Sequence, residues 1–276
     1  MIRPRPAASL PRPAPLARQG GGRSERKGWS AVAEMPGDGE GARQVPPGVP
    51  TALVNDGEGL EIEARGLRAR GPLGTVFKGV DLLVRPAGLT VVAGQGGTGR
   101  TSLLLALGGR FRTSGGTVTA RLGDTPVDPL RHSALARATP GVALVPQWTV
   151  HEHRAERAAT TRTFSTATLE AAGELLDCAP PARTVVGRLP ARDRLLFAVA
   201  LAVAARRPAV LVDDVDAGLG GTDLREVWLR LARLAGAGIT VLATAAAPPP
   251  PDWAVPLAAY TTLSPRTAAA DAARRP

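Results

Sequence analysis

Residues 94–101, with the sequence GQGGTGRT, have the composition and spacing of a loop that binds polyphosphate. Glycines let backbone N–H groups turn inward around phosphate oxygens, because they adopt conformations closed to other residues. The apolar run LTVVA precedes the loop and SLLLAL follows it. A helix that begins directly after such a loop adds its partial positive charge at the same point. We therefore predict a buried strand, a phosphate-binding loop and a helix over residues 89–109.

The loop matches the Walker A pattern G-x-x-x-x-G-K-[ST] at Gly94, Gly99 and Thr101. Arg100 stands where that pattern has lysine. Lysine is a compact point charge, whereas arginine is longer, planar and forked, so the reach of the cation toward phosphate is altered. A purely structural glycine-rich turn remains the alternative. The candidate nucleotide-binding residues are Gly94, Gln95, Gly96, Gly97, Thr98, Gly99, Arg100, Thr101 and Ser102.

The elements that must position this loop alternate between about residues 55 and 263. Short apolar or β-branched runs predict strands at 60–64, 89–93, 117–122, 142–145, 209–212 and 239–244. Residues 222–235 carry one apolar stripe at helical spacing and predict a surface helix, whereas 193–205 are apolar almost all round and predict a buried helix. Strands interleaved with helices are typical of an α/β fold with a mostly parallel central sheet.

Positive charge is concentrated at the two ends of the chain. Of the net +10, residues 1–34 contribute +5 and residues 264–276 contribute +2, which leaves +3 for the remainder. A body with this charge is ordinary, so we predict no specific nucleic-acid partner. Residues 1–50 are rich in Pro, Gly and Arg without apolar periodicity, and we predict that they and residues 264–276 are disordered tails.

The lone cysteine and the apolar runs exclude other classes of protein. Cys178 is the only cysteine, which excludes an intrachain disulfide and a multi-thiolate metal site. The longest apolar run, 195–205, is 11 residues, whereas a membrane-spanning helix needs about 20. The N-terminus has no apolar run of the kind found in a signal peptide, so we expect a cytoplasmic location.

Five segments in sequence order resemble the ATP-binding cassette family, the nucleotide-hydrolysing subunits of membrane transporters. They are the opening strands that run into the Walker A loop (60–109), SGGTVTARLGDTPV (114–127), VALVPQ ending at Gln147, TVHEH (149–153) and AVLVDDVDAGL (209–219). The resemblance covers residues 55–263. It implies a P-loop NTPase-like domain with a mostly parallel central sheet, flanking helices, an antiparallel N-terminal strand region and a small helical subdomain at 148–190.

The resemblance also implies ATP and Mg²⁺ as ligands and assigns roles to individual residues. Thr101, Asp213 and Gln147 are the expected metal ligands. Asp214 falls at the position of the family's catalytic glutamate, and with Gln147 it is expected to position the attacking water. Aspartate is one methylene shorter than glutamate, which displaces that water by about 1 Å and slows the reaction. Because residues 208–213 are one residue shorter than usual, Asp214 remains an alternative metal ligand.

Several positions depart from the family pattern. The signature segment LSGGQ is replaced by Leu189, Pro190, Ala191, Arg192 and Asp193, which lack the glycines that approach a γ-phosphate. Ala245 stands at the switch histidine, Gly220 at the D-loop aspartate and Gly71 near the adenine-stacking aromatic. The losses imply slow hydrolysis or a site that a partner completes.

Two functions follow from the resemblance. The first is an ATP-binding cassette subunit, a homo- or heterodimer on the inner face of the cell membrane, that couples ATP binding and slow hydrolysis to ADP and phosphate to a separate permease. The alternative is a nucleotide-gated regulatory module, a pseudo-ATPase. Trp148, directly after Gln147, is either a docking residue for the membrane partner or part of a local core.

Overall fold

The computed structural model describes residues 33–34, 50, 53, 59–72 and 74–264. The tails predicted at 1–50 and 264–276 lie almost entirely outside these residues.

Six of the described strands form one sheet, in the order β1-β10-β4-β9-β8-β7. All neighbours from β10 to β7 pair in parallel, whereas β1 pairs with β10 in antiparallel fashion. These strands are β1 (Ala33–Glu34), β4 (Leu89–Ala93), β7 (Ser133–Arg137), β8 (Ala209–Val212), β9 (Thr240–Ala245) and β10 (Ala259–Thr262). Every residue of β4, β8 and β9 is buried, as expected for strands covered on both faces.

Four further strands form an antiparallel sheet, in the order β3-β2-β5-β6. They are β2 (Leu60–Gly71), β3 (Gly74–Val84), β5 (Gly115–Leu122) and β6 (Thr125–Val127). Along the first half of β2, fully buried Leu60 and Ile62 alternate with more exposed residues, so this sheet covers a core with one face only. The antiparallel N-terminal region that the sequence implied is confirmed.

The described part of the chain has six α-helices, four of which pack against the parallel sheet. They are α1 (Arg100–Leu107), α2 (Pro129–His132), α3 (Val150–Thr160), α4 (Thr166–Leu176), α5 (Ala191–Val203) and α6 (Gly221–Gly236), with single turns of 3₁₀ helix at Val186–Arg188 and Pro251–Trp253. Leu103 and Leu104 of α1 share a core with both sheets, so α1 lies between them. None of the helices in the described part of the chain has the length and apolarity that a membrane crossing requires.

Both helices predicted from periodicity are present. In α6 the stripe of Val227, Trp228, Leu231 and Leu234 is buried, which confirms the amphipathic interpretation. Helix α5 is buried from Leu195 to its end and packs against β7, β8, α4 and α6, which explains why it is apolar on nearly all sides.

The strand predicted at 142–145 is wrong. Residues 143–145 are in irregular structure, and Val142 forms a single antiparallel bridge with Ala138. Pro140 and Pro146 flank the run, and proline lacks the N–H that a strand ladder needs. The strand beside β8 is instead β7, whose sequence SALAR has low β propensity and is held by burial against α5.

Candidate nucleotide-binding site

The loop at residues 94–99 leaves the buried strand β4 at the carboxyl edge of the parallel sheet. The N–H of Gly94 donates to the carbonyls of Ala245 and Ala246, at 3.1 and 3.2 Å, which ties the start of the loop to the end of β9. A Cβ atom at Gly94 would lie 2.8 Å from Oγ1 of Thr98 and 2.9 Å from the carbonyl of Leu263. The first glycine is therefore required by close packing as well as by its backbone angle.

Gly99 closes the loop and precedes α1. Its φ of 93° lies in the left-handed region, and a Cβ atom there would lie 2.7 Å from the carbonyl of Val76 in β3. The antiparallel sheet thus presses on the end of the loop. Gly96 and Gly97 differ, because a Cβ atom at either would meet nothing within 4 Å, and both residues are exposed with Gln95.

The N-terminus of α1 is suited to an anion. The first N–H groups of a helix have no partner within the helix, and here Gly99 supplies no side-chain cap. The first turn, which contains Thr101 and Ser102, holds no acidic residue that would neutralise its positive end. Thr98 stabilises the loop from within, because its Oγ1 donates to the carbonyl of Gln95 at 2.8 Å.

Thr101 and Asp213 are in direct contact. Oγ1 of Thr101 donates to Oδ2 of Asp213 at 2.7 Å, and Oγ1 of Thr244 donates to Oδ1 at 2.6 Å. Asp213 is fully buried at the end of β8, so both carboxylate oxygens are held by hydroxyl groups. Thr244 also accepts from the N–H of Asp214 at 2.8 Å, so it holds both aspartates in place against the end of β9. The sequence analysis missed Thr244, although a threonine in the otherwise apolar end of β9 was a visible sign.

Arg100 and Asp214 form an ion pair. Nη2 of Arg100 donates to Oδ1 of Asp214 at 2.5 Å, and Nη1 donates to the carbonyl of Gly94. The Arg100 side chain is only 12% exposed and that of Asp214 is 31% exposed. Burial raises the pKa of Asp214, the charge of Asp213 raises it further, and Arg100 acts in the opposite direction. Asp214 also has a φ of 46°, in the left-handed region.

Gln147 lies apart from this set of contacts. It is exposed in the turn before α3, and in the part of the chain that the structure describes its side chain makes no hydrogen bond. The helix after it begins with a capping box, in which Thr149 and Glu152 exchange hydrogen bonds. The structure thus brings Thr101, Asp213, Asp214 and the loop together, and among the described residues it joins Gln147 to none of them by a side-chain hydrogen bond.

The signature positions form the start of α5. Pro190 caps the helix without a side-chain hydrogen bond, and Asp193 in the first turn places a negative charge there. Nε of Arg192 donates to Asp193 at 2.9 Å, and Nη1 donates to Glu226 of α6 at 2.6 Å. This helix end therefore lacks glycine and carries its own acid, both unfavourable for a phosphate.

The donor set around Thr101 suits Mg²⁺ that is held partly by phosphate. The described residues contain no group of three or more His, Cys, Asp or Glu side chains able to hold a metal. Mg²⁺ commonly takes one or two protein oxygens together with substrate phosphates and water. A hydroxyl and a carboxylate oxygen 2.7 Å apart beside the glycine-rich loop fit that requirement.

Sequence comparison finds similarity to a protein that is named as an ATP-binding protein. The chain is 29% identical over 196 residues to "Ribose import ATP-binding protein RbsA 1" of Rubrobacter xylanophilus, a match that covers 66% of this chain and 38% of that protein. The chain thus spans well under half the length of this relative. No protein-family model matches.

Solved structures of ATP-binding cassettes share the fold. The dimeric structure of MJ0796, a bacterial ABC transporter cassette, matches with a TM-score of 0.58 and 15% identity over 74% of this chain and 94% of that chain. CbiO1 from Clostridium perfringens, part of the transporter complex cbiONQ, matches with a TM-score of 0.56 and 15% identity, over 67% and 77%. MJ1267 in its ADP conformation matches with 0.54 and 16%, over 68% and 81%. The P-loop NTPase-like fold class predicted from the sequence is confirmed.

Proposed function

We propose that this chain binds MgATP as the cassette subunit of a membrane transporter. The premise is that the chain has the fold of an ATP-binding cassette and is similar in sequence to the ATP-binding protein of a transporter. The observation that carries the proposal is the contact between Thr101 and Asp213 at the mouth of the loop. A loop with a structural purpose alone has no need of a buried carboxylate held by two hydroxyl groups at that place.

The phosphates of ATP would be held by backbone N–H groups and one cation. The N–H groups belong to the loop and the first turn of α1, and the cation is Arg100. The proposed nucleotide-binding residues are Gly94, Gln95, Gly96, Gly97, Thr98, Gly99, Arg100, Thr101 and Ser102. Thr101 and Asp213 would hold Mg²⁺ with Gln147 as a further ligand, and the ion supplies charge that stabilises the transferred phosphoryl group. The contact with Thr101 favours Asp213 over Asp214 as the metal carboxylate.

Hydrolysis of ATP to ADP and phosphate is proposed to be slow. Asp214 would orient the attacking water, with Gln147 on the same water. Asp214 has a shorter side chain than glutamate and is paired with Arg100, so its carboxylate is partly committed before substrate arrives. Both features lower the rate without preventing nucleotide binding.

A shallow cavity supports docking of a separate membrane protein. It has a volume of about 210 Å³ and lies between β7, residues 141–148, α3 and α5. Val145 and Trp148 line it and are each 38% exposed, while the ring of Trp148 lies 5.2 Å from that of buried His153. One part of the Trp148 side chain thus packs against His153 and another part is exposed to solvent. We therefore propose Trp148 as a contact of the permease. The subunit would then lie on the inner face of the cell membrane.

Association with a second cassette is also proposed. The relative MJ0796 is described as dimeric, and CbiO1 as part of a transporter complex. The start of α5 at 190–193 is a poor phosphate cap, so a different cassette that supplies an intact signature segment would suit this loop better than a second copy. We propose a domain at 55–263, with a helical subdomain at 148–190 that contains α3 and α4, and tails at 1–50 and 264–276.

A second candidate function is a nucleotide-gated module without turnover. The pairing of Arg100 with Asp214 favours it, because this contact occupies two groups that hydrolysis uses. Phosphate release by wild type and Asp214→Asn separates the two: a slow ATPase loses release in the variant, whereas a module without turnover shows no difference.

Nucleotide binding is the first test of the proposed function. Affinity for a fluorescent mant-ATP is measured with and without Mg²⁺ for wild type, Thr101→Ala and Asp213→Asn. We expect both variants to lose about 10- to 100-fold in Mg²⁺-dependent affinity, the range seen when groups that support a metal are removed. Thr119→Ala in β5 and Asp124→Asn in the turn between β5 and β6, both at exposed positions, are the matched controls and should bind as wild type does. Wild-type protein without Mg²⁺-dependent affinity would overturn the proposal.

A further inference from the structure

The cation at the phosphate loop is committed to protein atoms. Arg100 begins α1, yet its side chain folds back so that Nη1 donates to the carbonyl of Gly94 and Nη2 to Asp214. With only 12% of the side chain exposed, the guanidinium occupies the inner side of the loop. Phosphate oxygens that enter the loop would meet a guanidinium already bound to a carboxylate.

Both partners of this ion pair have a second use in the proposed function. A guanidinium has five N–H donors in a planar fork and binds phosphate through two of them. Oδ1 of Asp214, which accepts from Arg100, is a carboxylate oxygen of the group that would accept a hydrogen bond from water. One contact therefore withholds a phosphate-binding group and a water-positioning group together.

We propose that nucleotide binding and the release of Asp214 are one event, in which Arg100 exchanges the Asp214 carboxylate for phosphate oxygens. This inference rests on the proposed function. Arg100 is then a positioning residue for the water-binding carboxylate as well as a phosphate ligand. Without nucleotide the pair holds Asp214 away from water, and the free carboxylate is present only when the phosphates are in place.

The exchange predicts that Asp214 opposes nucleotide binding through Arg100. Asparagine keeps the shape of the side chain but offers Arg100 an uncharged acceptor, so Asp214→Asn removes the attraction between opposite charges and frees the guanidinium for phosphate. We expect the dissociation constant for MgATP to fall about fivefold, a modest effect because the pair is partly exposed. Equilibrium titration of mant-ATP in the presence of Mg²⁺ measures it.

Asp214→Asn also removes the repulsion between the Asp214 carboxylate and phosphate, which by itself would tighten binding. A double-mutant cycle separates the two causes. The cycle consists of wild type, Asp214→Asn, Arg100→Gln and the double variant. If Arg100 carries the effect, Asp214→Asn tightens binding less than about twofold in the Arg100→Gln background. If repulsion carries it, the tightening in that background is at least as large as in wild type, and the inference is overturned.

A stability cycle without nucleotide covers the case in which Arg100→Gln binds too weakly to titrate. The four proteins are melted and their Tm values compared. Non-additive Tm changes among the four proteins without nucleotide, together with a Tm difference between wild type and Asp214→Asn that shrinks at saturating MgATP, support the exchange. Additive changes overturn it. The exposed pair of Arg121 and Asp124, 3.9 Å apart, provides the control cycle, in which Arg121→Gln and Asp124→Asn should leave mant-ATP affinity unchanged.

Failure of the inference differs from failure of the proposed function. Wild type that binds MgATP with no coupling between Arg100 and Asp214 overturns the exchange alone. Absence of MgATP binding in all four folded proteins overturns the proposed function and the exchange with it.

Discussion

The phosphate loop and the start of α5 are both helix N-termini, and they differ in what the chain places there. At α1, Gly99 in the left-handed backbone region precedes a first turn without an acidic residue, and the hydroxyl of Thr101 contacts the buried carboxylate of Asp213. At α5 a proline precedes a first turn with Asp193, and Arg192 joins that acid to α6. The first end is prepared for an anion, whereas the second end is already neutralised and fixed to its neighbours. The N-terminus of α1 is therefore better suited to an anion than the N-terminus of α5.

The largest effect on stability is expected at Gly99. Replacement by alanine forces a side chain into the left-handed region and against the carbonyl of Val76, at 2.7 Å. We expect Gly99→Ala to lower the free energy of unfolding by about 2 to 3 kcal/mol. Gly96→Ala is the matched control, because its Cβ atom would meet nothing within 4 Å, and it should change stability by about 0.5 kcal/mol or less. Urea denaturation measures both, and equal losses would show that the close approach to β3 is unimportant.

The sequence predicted the first helix end well because its information is local. Gly94, Gly99 and Thr101 lie within eight residues, and their spacing requires a strand, a loop and a helix in that order. The acidic pair at the end of β8 was predicted from the resemblance of residues 209–219 to the ATP-binding cassette family. The mostly parallel sheet and the helices at 193–205 and 222–235 could also be predicted, because each depends on a local pattern of apolar residues.

Contacts between distant residues could not be predicted in this way. The hydroxyl of Thr244 reaches Asp213 from another strand, and Arg100 reaches Asp214 across 114 positions of sequence. β7 was missed because its alanines carry no β preference, and its strand conformation depends on α5 and β8. In each case the determining neighbour lies far along the chain.

Cys178 offers a test of how firmly the N-terminus of α5 is packed. Its buried thiol donates to the carbonyl of Asp193 at 3.3 Å, and burial, together with the nearby charge of Asp193, raises its pKa to about 12. The folded protein keeps this proton above pH 9, where the unfolded thiol loses it, so stability is complete below about pH 9 and falls as the pH rises toward 12. By pH 10.5 the expected loss is about 2 kcal/mol.

The measurement compares urea denaturation of wild type and Cys178→Ala between pH 8 and pH 10.5. The variant is less stable at pH 8 but should lack the part of the decline that the thiol causes. Parallel slopes in the two proteins would contradict the burial of the thiol beneath α5. Slow reaction of native wild type with iodoacetamide at pH 8, and fast reaction in urea, is a second expected outcome.

The smallest change in the free energy of unfolding is expected at Arg192. It shows whether the ion pairs at the N-terminus of α5 stabilise the fold. Arg192 is 29% exposed and contacts Asp193 at 2.9 Å and Glu226 at 2.6 Å, so Arg192→Ala should cost less than about 1 kcal/mol. Glu226→Gln should cost as little, and the double variant no more than their sum, as urea denaturation would show. A loss of several kcal/mol would mean that the charges at α5 hold the fold together. The expected small loss means instead that the ion pairs of Arg192 are not required to hold the start of α5 in place.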